Sequence, residues 1–356
     1  MSNARKLADN LPREGQFGNR NILINGAMNV SQRNGGSVVT VAPSDHYVVD
    51  RFKIQDYSDA TFTSQQDYDV HDGFTYCSKL TVTGTDTSLG TTQYQRFIQP
   101  IEGTNVRHLN WGTSIAKTVT FSFYVNSSLT GTFYVFAFNN AANRSFVSAY
   151  TINTANTWEK KTITISGDTS GTWLTTTGVG IYLGFSLGTG TNFQTSTLDA
   201  WQGSFKMAGS NQVNFAGTNG ATWKVTGCQL EVGSQSTPFE HELYDVTLEK
   251  CQRYFQKAGD GRTYGVVFNQ HTGVNAYSNL RWWKPMRVTP TIHSMSTSNY
   301  NIYNTGASRS FSQIGVSQLS ENSGEFYLTT TTLAAGSATH CNTNGDLTMW
   351  KAEADF

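Results

Sequence analysis

Thr118–Val125 reads TVTFSFYV, and its alternation decides the fold class. In an extended chain successive side chains point to opposite faces, so Val119, Phe121, Phe123 and Val125 share one face while Thr120, Ser122 and Tyr124 share the other. A helix would scatter these four apolar residues around its circumference. The segment is therefore a strand with one face in a core.

The same period recurs on either side. In GIYLGFSL, residues Ile181, Leu183, Phe185 and Leu187 alternate with Tyr182, Gly184 and Ser186, and Ile163 and Ile165 repeat the pattern. TFYVFAF, Thr132–Phe138, is apolar on both faces, as in a central strand whose two faces are both covered. Further strands are expected near Lys79–Thr83 and Trp223–Val232. Short runs separated by Gly, Asn, Thr and Ser clusters continue from about Asn21 to about Phe239, which predicts a β-sandwich of jelly-roll kind over 21–240.

The pattern changes at DVTLEKCQRYFQKAG. Leu248, Cys251 and Phe255 fall on one helical stripe, Glu249 and Arg253 stand at i,i+4, and Gly259 supplies a stop, so a short connecting helix is expected within 241–260. Beyond it TYGVVF, PTIHSM, GEFYLTTTTL and LTMWKAEADF read as strands of a smaller β domain over 261–356. Pro285 and Pro290 flank MRVT, which makes that stretch a loop or an edge strand. Residues 1–20 are polar and without hydrophobic period, and form a leader or a docking segment. The fold class is thus all-β, a sandwich followed by one short helix and a C-terminal β domain.

Composition narrows the function. The 356 residues carry 25 basic and 25 acidic side chains, so there is no positive field for a phosphate backbone and no basic surface for an anionic membrane. Charged residues are 14% of the chain against a usual value of about 25%, and aromatics reach 13%. No run of about 18 apolar residues is present, so membrane insertion is not expected. The N-terminal residues lack the apolar run of a signal peptide, which predicts assembly in the cytoplasm. Cys77, Cys228, Cys251 and Cys341 are far apart, without metal-ligand spacing, and read as free thiols.

Two blocks about 200 residues apart then carry a family likeness. NRNILINGAMNVSQRNGG, Asn19–Gly36, with HYVVDRFKI, His46–Ile54, resembles the opening of many phage tail-fibre and structural virion proteins that hold a carbohydrate-binding-module-like jelly roll. GCQLEVGSQSTPFEHELYDVTLEKCQRYFQK, Gly227–Lys257, resembles the close of that module, and KPMRVTPTI, Lys284–Ile292, with AEADF, Ala352–Phe356, resembles the family's C-terminal part. The adjacent Trp282 and Trp283 depart from it. The resemblance implies a virion location, attachment to a host surface glycan or receptor, docking to other virion proteins through the N-terminal segment, and a homotrimer. A purely structural role, as head fibre or tail adaptor, is the rival reading, and a glycan depolymerase the third.

For catalysis a depolymerase would need two facing carboxylates. Glu231, Glu240 and Glu242, and Asp67, Asp69 and Asp72 in DYDVHDG, are the groups available, and they read as solvated strand ends. DYDVHDG lacks the spacing and terminal Glu of a calcium loop. No catalytic residue, metal ligand or cofactor is assigned. Sugar recognition instead needs aromatic faces beside amide, carboxylate or guanidinium groups. The candidates are Trp282, Trp283, Arg281 and Arg287 in the proline-flanked loop, and Trp173 and Trp201 in the sandwich. Because Trp282 and Trp283 are adjacent, an extended segment turns one of them outward, toward a subunit or a receptor. Trp158, at a strand start, is expected in the core.

Overall fold

A computed structural model describes residues 19–41, 45–258, 265–270, 275–293, 300–304, 307–309, 311–329, 338–343 and 350–356. Residues 1–18 of the expected leader lie outside these. The chain divides into two units, Met1–Thr247 with Phe356, and Leu248–Asp355. It is all-β, with antiparallel sheets throughout.

Along the first unit run β1 Val39–Val41, β2 Asp45–Val49, β3 Phe52–Asp56, β4 Thr61–His71, β5 Phe74–Gly84, β6 Tyr94–Glu102 and β7 Val119–Ser127. Then follow β8 Gly131–Phe138, β9 Ser145–Ile152, β10 Glu159–Ile165, β11 Val179–Thr189, β12 Trp201–Gln202 and β13 Thr222–Val232. They form two sheets, ordered β1-β4-β5-β13-β7-β10 and β12-β9-β8-β11-β6-β3-β2.

The inner faces of both sheets contribute to one core. Phe121, Phe123 and Val125 of β7 meet Phe133 and Val135 of β8, Phe185 of β11 and Phe97 of β6 there, around the fully buried ring of Trp223. Phe123 stands edge-on to Phe185 at 4.8 Å, and Phe185 contacts Trp223 at 5.2 Å. Aromatic pairs at this range add about 0.5–1.5 kcal/mol each beyond burial.

The two-faced strand Thr132–Phe138 is explained by a second cluster. Phe133, Val135 and Ala137 of β8 face the sandwich core, while Tyr134, Phe136 and Phe138 face outward, where they pack with Val147, Met207 and Ala208. The segment carrying Phe193, Phe205 and Met207 therefore roofs the outer face of this sheet.

Two local expectations are corrected: that in ILINGAM the alternating Ile22 and Ile24 share one face of a strand, and that the connecting helix carries the stripe as far as Phe255. Ile22 and Ile24 belong to no strand; the stretch before β1 is irregular, held by Asn25, whose φ is 63°. The buried Asn25 amide donates to the carbonyls of Val30 and Asp50 and accepts from the Val30 N–H, so side-chain bonds replace a ladder. The second correction concerns the helix, which spans only Tyr244–Gln252. Phe255–Ala258 is strand β14, because its backbone pairs with a C-terminal strand, Phe255 opposite Glu353 and Gln256 opposite Ala352. Arg253 is thus outside the helix, and Glu249 pairs with Lys284 at 3.0 Å instead.

In the second unit, β14 joins β17 Thr291–His293 and β23 Trp350–Glu353 in the order β14-β23-β17. The other sheet holds β15 Gly265–Gln270, β16 Asn275–Arg281, β18 Tyr300–Asn304, β19 Ala307–Arg309, β20 Gln313–Ser317, β21 Ser323–Thr329 and β22 Ala338–Thr343, ordered β19-β18-β22-β15-β16-β21-β20. Phe268, Trp282, Met286, Phe326, Leu328 and Trp350 form its core. The stretch between Pro285 and Pro290 carries no strand.

Candidate functional site

The residues singled out by sequence take up different roles. Trp173 is buried and meets Trp111 and Trp201 edge-on at 4.9 and 5.1 Å, while Trp111 and Trp201 meet at 5.1 Å. All three indole N–H groups donate to backbone carbonyls, of Lys117, Ser170 and Ser166. Trp201 is half-buried. This mutual packing turns the three tryptophans toward one another.

In the second unit, Trp282 is 6% exposed and packs on Trp350 at 5.3 Å, its indole donating to the Ser320 carbonyl at 2.9 Å. Trp283 is 50% exposed and leans on Trp350 at 5.9 Å. Arg281 is exposed at the end of β16. Arg287 is buried, donating from Nε to the Ala354 carbonyl at 2.7 Å and from a terminal nitrogen to that of Asp355 at 3.0 Å. It ties down the chain after β23. Of these four, Arg281 and Trp283 reach the surface.

The acidic groups are also engaged. Asp67 and Asp69 stand on β4, and the Sγ of Cys77 comes within 4.8 Å of their carboxylates. Yet Lys224 Nζ lies 3.1 Å from Asp67 and 2.8 Å from Asp69, and Lys79 Nζ lies 3.4 Å from Asp67. Burial pushes the Asp67 carboxyl up, but the Lys224 bond and both lysine charges outweigh it and hold it below its usual range. Burial pushes the Cys77 thiol up to about 12. Two ammonium groups already neutralise two carboxylates, so this is an ion-pair network. Glu231, expected at a solvated strand end, is buried and accepts from the Thr237 N–H at 2.8 Å and its hydroxyl at 2.7 Å.

A pocket that sequence reading did not single out lies on the β4–β5 side of the sandwich. Asn29, Ser31, Gly35, Gln66, Thr75, Tyr76 and Tyr244 line a cavity of about 520 Å³, within the range of small-ligand sites. Its parts come from four stretches of chain. The Asn25 clamp on Val30 sets the irregular segment that carries Asn29 and Ser31. The Ser31 carbonyl accepts from the Gly35 N–H at 2.9 Å, closing a turn in which Gly35 has φ 56°.

Gln66 of β4 anchors that segment to the sheet, its amide donating to the Met28 carbonyl at 2.6 Å. On β5, Tyr76 stands opposite Tyr68 of β4, the rings meeting edge-on at 6.0 Å. Tyr68 and the nearby Val70 are 70% and 63% exposed. A register irregularity between Tyr68 and His71 twists the end of this ribbon. Among the described residues, no protein partner takes up the side-chain polar groups of Asn29, Thr75 or Tyr76, all three of which line this cavity.

No protein-family model matches the chain, and no curated protein matches it. Among solved structures, the enzymatically active domain of tailspike protein 4 from bacteriophage CBA120 is similar over 60% of this chain, with a TM-score of 0.32 and 11% identity. The match spans 22% of that tailspike chain. A structure titled "CBM4 structure and function" is similar over 59% of this chain and 98% of its own, with a TM-score of 0.31 and 17% identity. At these scores neither likeness bears on what this chain does.

Proposed function

We propose that the chain is a non-enzymatic virion protein of the phage tail-fibre or receptor-binding type, acting as a homotrimer, that attaches to a host surface glycan through the Tyr76 pocket. One observation carries the reading: a cavity of about 520 Å³ lined by Tyr76, Asn29 and Thr75, whose side-chain polar groups have no protein partner among the described residues. A pyranose offers an apolar face to a ring and a rim of hydroxyls that both donate and accept, and this pocket supplies partners for each.

The virion location rests on the resemblance of Asn19–Gly36 and Gly227–Lys257 to the fibre family. Attachment without turnover is supported by the carboxylates of β4, which are committed to Lys79 and Lys224.

The test is adhesion of the labelled chain to host cells before and after mild periodate oxidation of their surface sugars. Binding that disappears on oxidation supports the reading. Binding to neither sample favours a purely structural virion component, and release of reducing sugar from purified surface polysaccharide would favour a depolymerase.

A further inference from the structure

On the other sheet, β2, β3, β6 and β11 place Asp45 opposite Gln55, Gln55 opposite Arg96, and Arg96 opposite Ser186. This row faces away from the sandwich core. The Arg96 guanidinium lies 4.8 Å from the ring centroid of Tyr94, 5.2 Å from Phe138 and 5.4 Å from Phe205. Its Nε donates to the Gln55 carbonyl oxygen at 2.7 Å, and a terminal nitrogen approaches Met207 Sδ at 3.6 Å.

Arg96 is 8% exposed, so its charge is largely withdrawn from water. A buried cation ordinarily demands a paired anion. Among the described residues none pairs with it. The nearest carboxylate in the row, Asp45, is spent on Lys53 Nζ at 2.9 Å, on the Gln55 amide at 2.6 Å and on the Tyr57 hydroxyl at 3.4 Å. Aromatic faces compensate a guanidinium in part but accept no in-plane hydrogen bond, so with Nε on Gln55 and one terminal nitrogen on Met207 the other terminal nitrogen has no bond among the described residues. At the margin of this cage Tyr57, 50% exposed, meets Tyr94 at 5.0 Å. A half-exposed ring, its hydroxyl on Asp45, therefore stands beside a buried cation that makes no ion pair among the described residues.

We propose that Tyr57 and Arg96 form a second subsite, for a sugar that carries an oxyanion, its ring stacking on Tyr57 and its carboxylate or sulfate meeting the guanidinium. The subsite lies on the sheet opposite the Tyr76 pocket and does not depend on it. Packing alone would be served as well by an apolar side chain in the same cage, which gives the variant that separates the two roles.

Calorimetric titration of the full chain with a galacturonate trisaccharide, its carboxyl-reduced counterpart, a sulfated trisaccharide and inorganic sulfate tests this. Binding of at least one acidic trisaccharide should exceed that of the reduced one by about tenfold or more, the gain of a charge-assisted hydrogen bond, and should weaken as salt is added. Tyr57→Ala and Arg96→Met should each weaken it by about tenfold or more, with Tyr76→Ala leaving it unchanged. Tyr57 is a surface residue, so its variant keeps the test valid if Arg96→Met misfolds. Equal binding of the reduced sugar, no binding of either acidic sugar, an unaffected Tyr57→Ala, or loss through Tyr76→Ala would overturn the proposal. Sulfate binding as tightly as the trisaccharides would overturn its assignment to a sugar-borne anion.

Discussion

Tyr68 and Tyr76 face each other across the β4–β5 pair, ring edge to ring face at 6.0 Å, and only Tyr76 lines the pocket. The outer ring, 70% exposed, thus props the inner one without entering the cavity. Tyr68→Ala should leave the melting temperature within a degree or two, because an exposed ring buries little surface. It should weaken glycan binding several-fold by loosening Tyr76, a change read by titration. Unaltered affinity would show that Tyr76 needs no support from its neighbour.

Trp282 and Trp283 should separate cleanly. Trp282→Ala removes a ring packed on Trp350 and leaves the Ser320 carbonyl unpaired, at a cost of about 3–5 kcal/mol. Trp283→Ala removes a half-exposed ring and should cost under about 1 kcal/mol. Urea unfolding monitors both, and light scattering reports whether Trp283→Ala shifts mass from trimer to monomer. Equal losses of stability would contradict the placement of the two rings.

Gly26 leaves no room for a side chain: a Cβ there would sit 2.0 Å from the Cys228 carbonyl oxygen, while the Cys228 N–H donates to the Gly26 carbonyl at 2.9 Å. Gly26→Ala should therefore destabilise the first unit by roughly 3 kcal/mol through forced backbone displacement. Thermal unfolding within a degree of the parent would refute this tight approach.

Glu159 supplies an acid-sensitive contact. Burial raises its carboxyl, but Lys161 Nζ at 2.6 Å, the N–H groups of Thr154 and Asn153, and the Asn153 amide outweigh that and hold it at about 2, against an ordinary 4.5. A depressed carboxyl stabilises fully above its unfolded value and loses that contribution as pH falls through the folded one. The parent should thus lose more stability than Glu159→Gln between pH 4.5 and about 2. Parallel acid titrations followed by circular dichroism check the sign.

Much of the fold was legible because alternation is a local property. Val119 to Val125 and Phe133 to Phe138 point to their faces through neighbours two residues away. Trp158 shows where this ends. Placed at a strand start it reads as core, yet it is half-buried and stacks on His71 at 5.3 Å, a partner 87 positions earlier in the chain (158 − 71). Trp173 and Trp201 likewise look open in their Thr- and Gly-rich surroundings, and only the fold brings them to Trp111. The pocket was illegible for the same reason. Asn29, Gln66, Tyr76 and Tyr244 share no motif, and an irregular segment, a long hairpin and the start of the helix bring them together.

The most direct test is the affinity of the purified chain for glycans released from its host's surface, compared with that of Tyr76→Ala. Tyr76 is half-buried and its hydroxyl is free among the described residues, so the variant should fold. The parent should bind measurably, and removal of the ring should cost about tenfold or more in affinity, the effect of deleting one stacking face. Equal affinity of parent and variant, with both folded, would contradict attachment through this pocket.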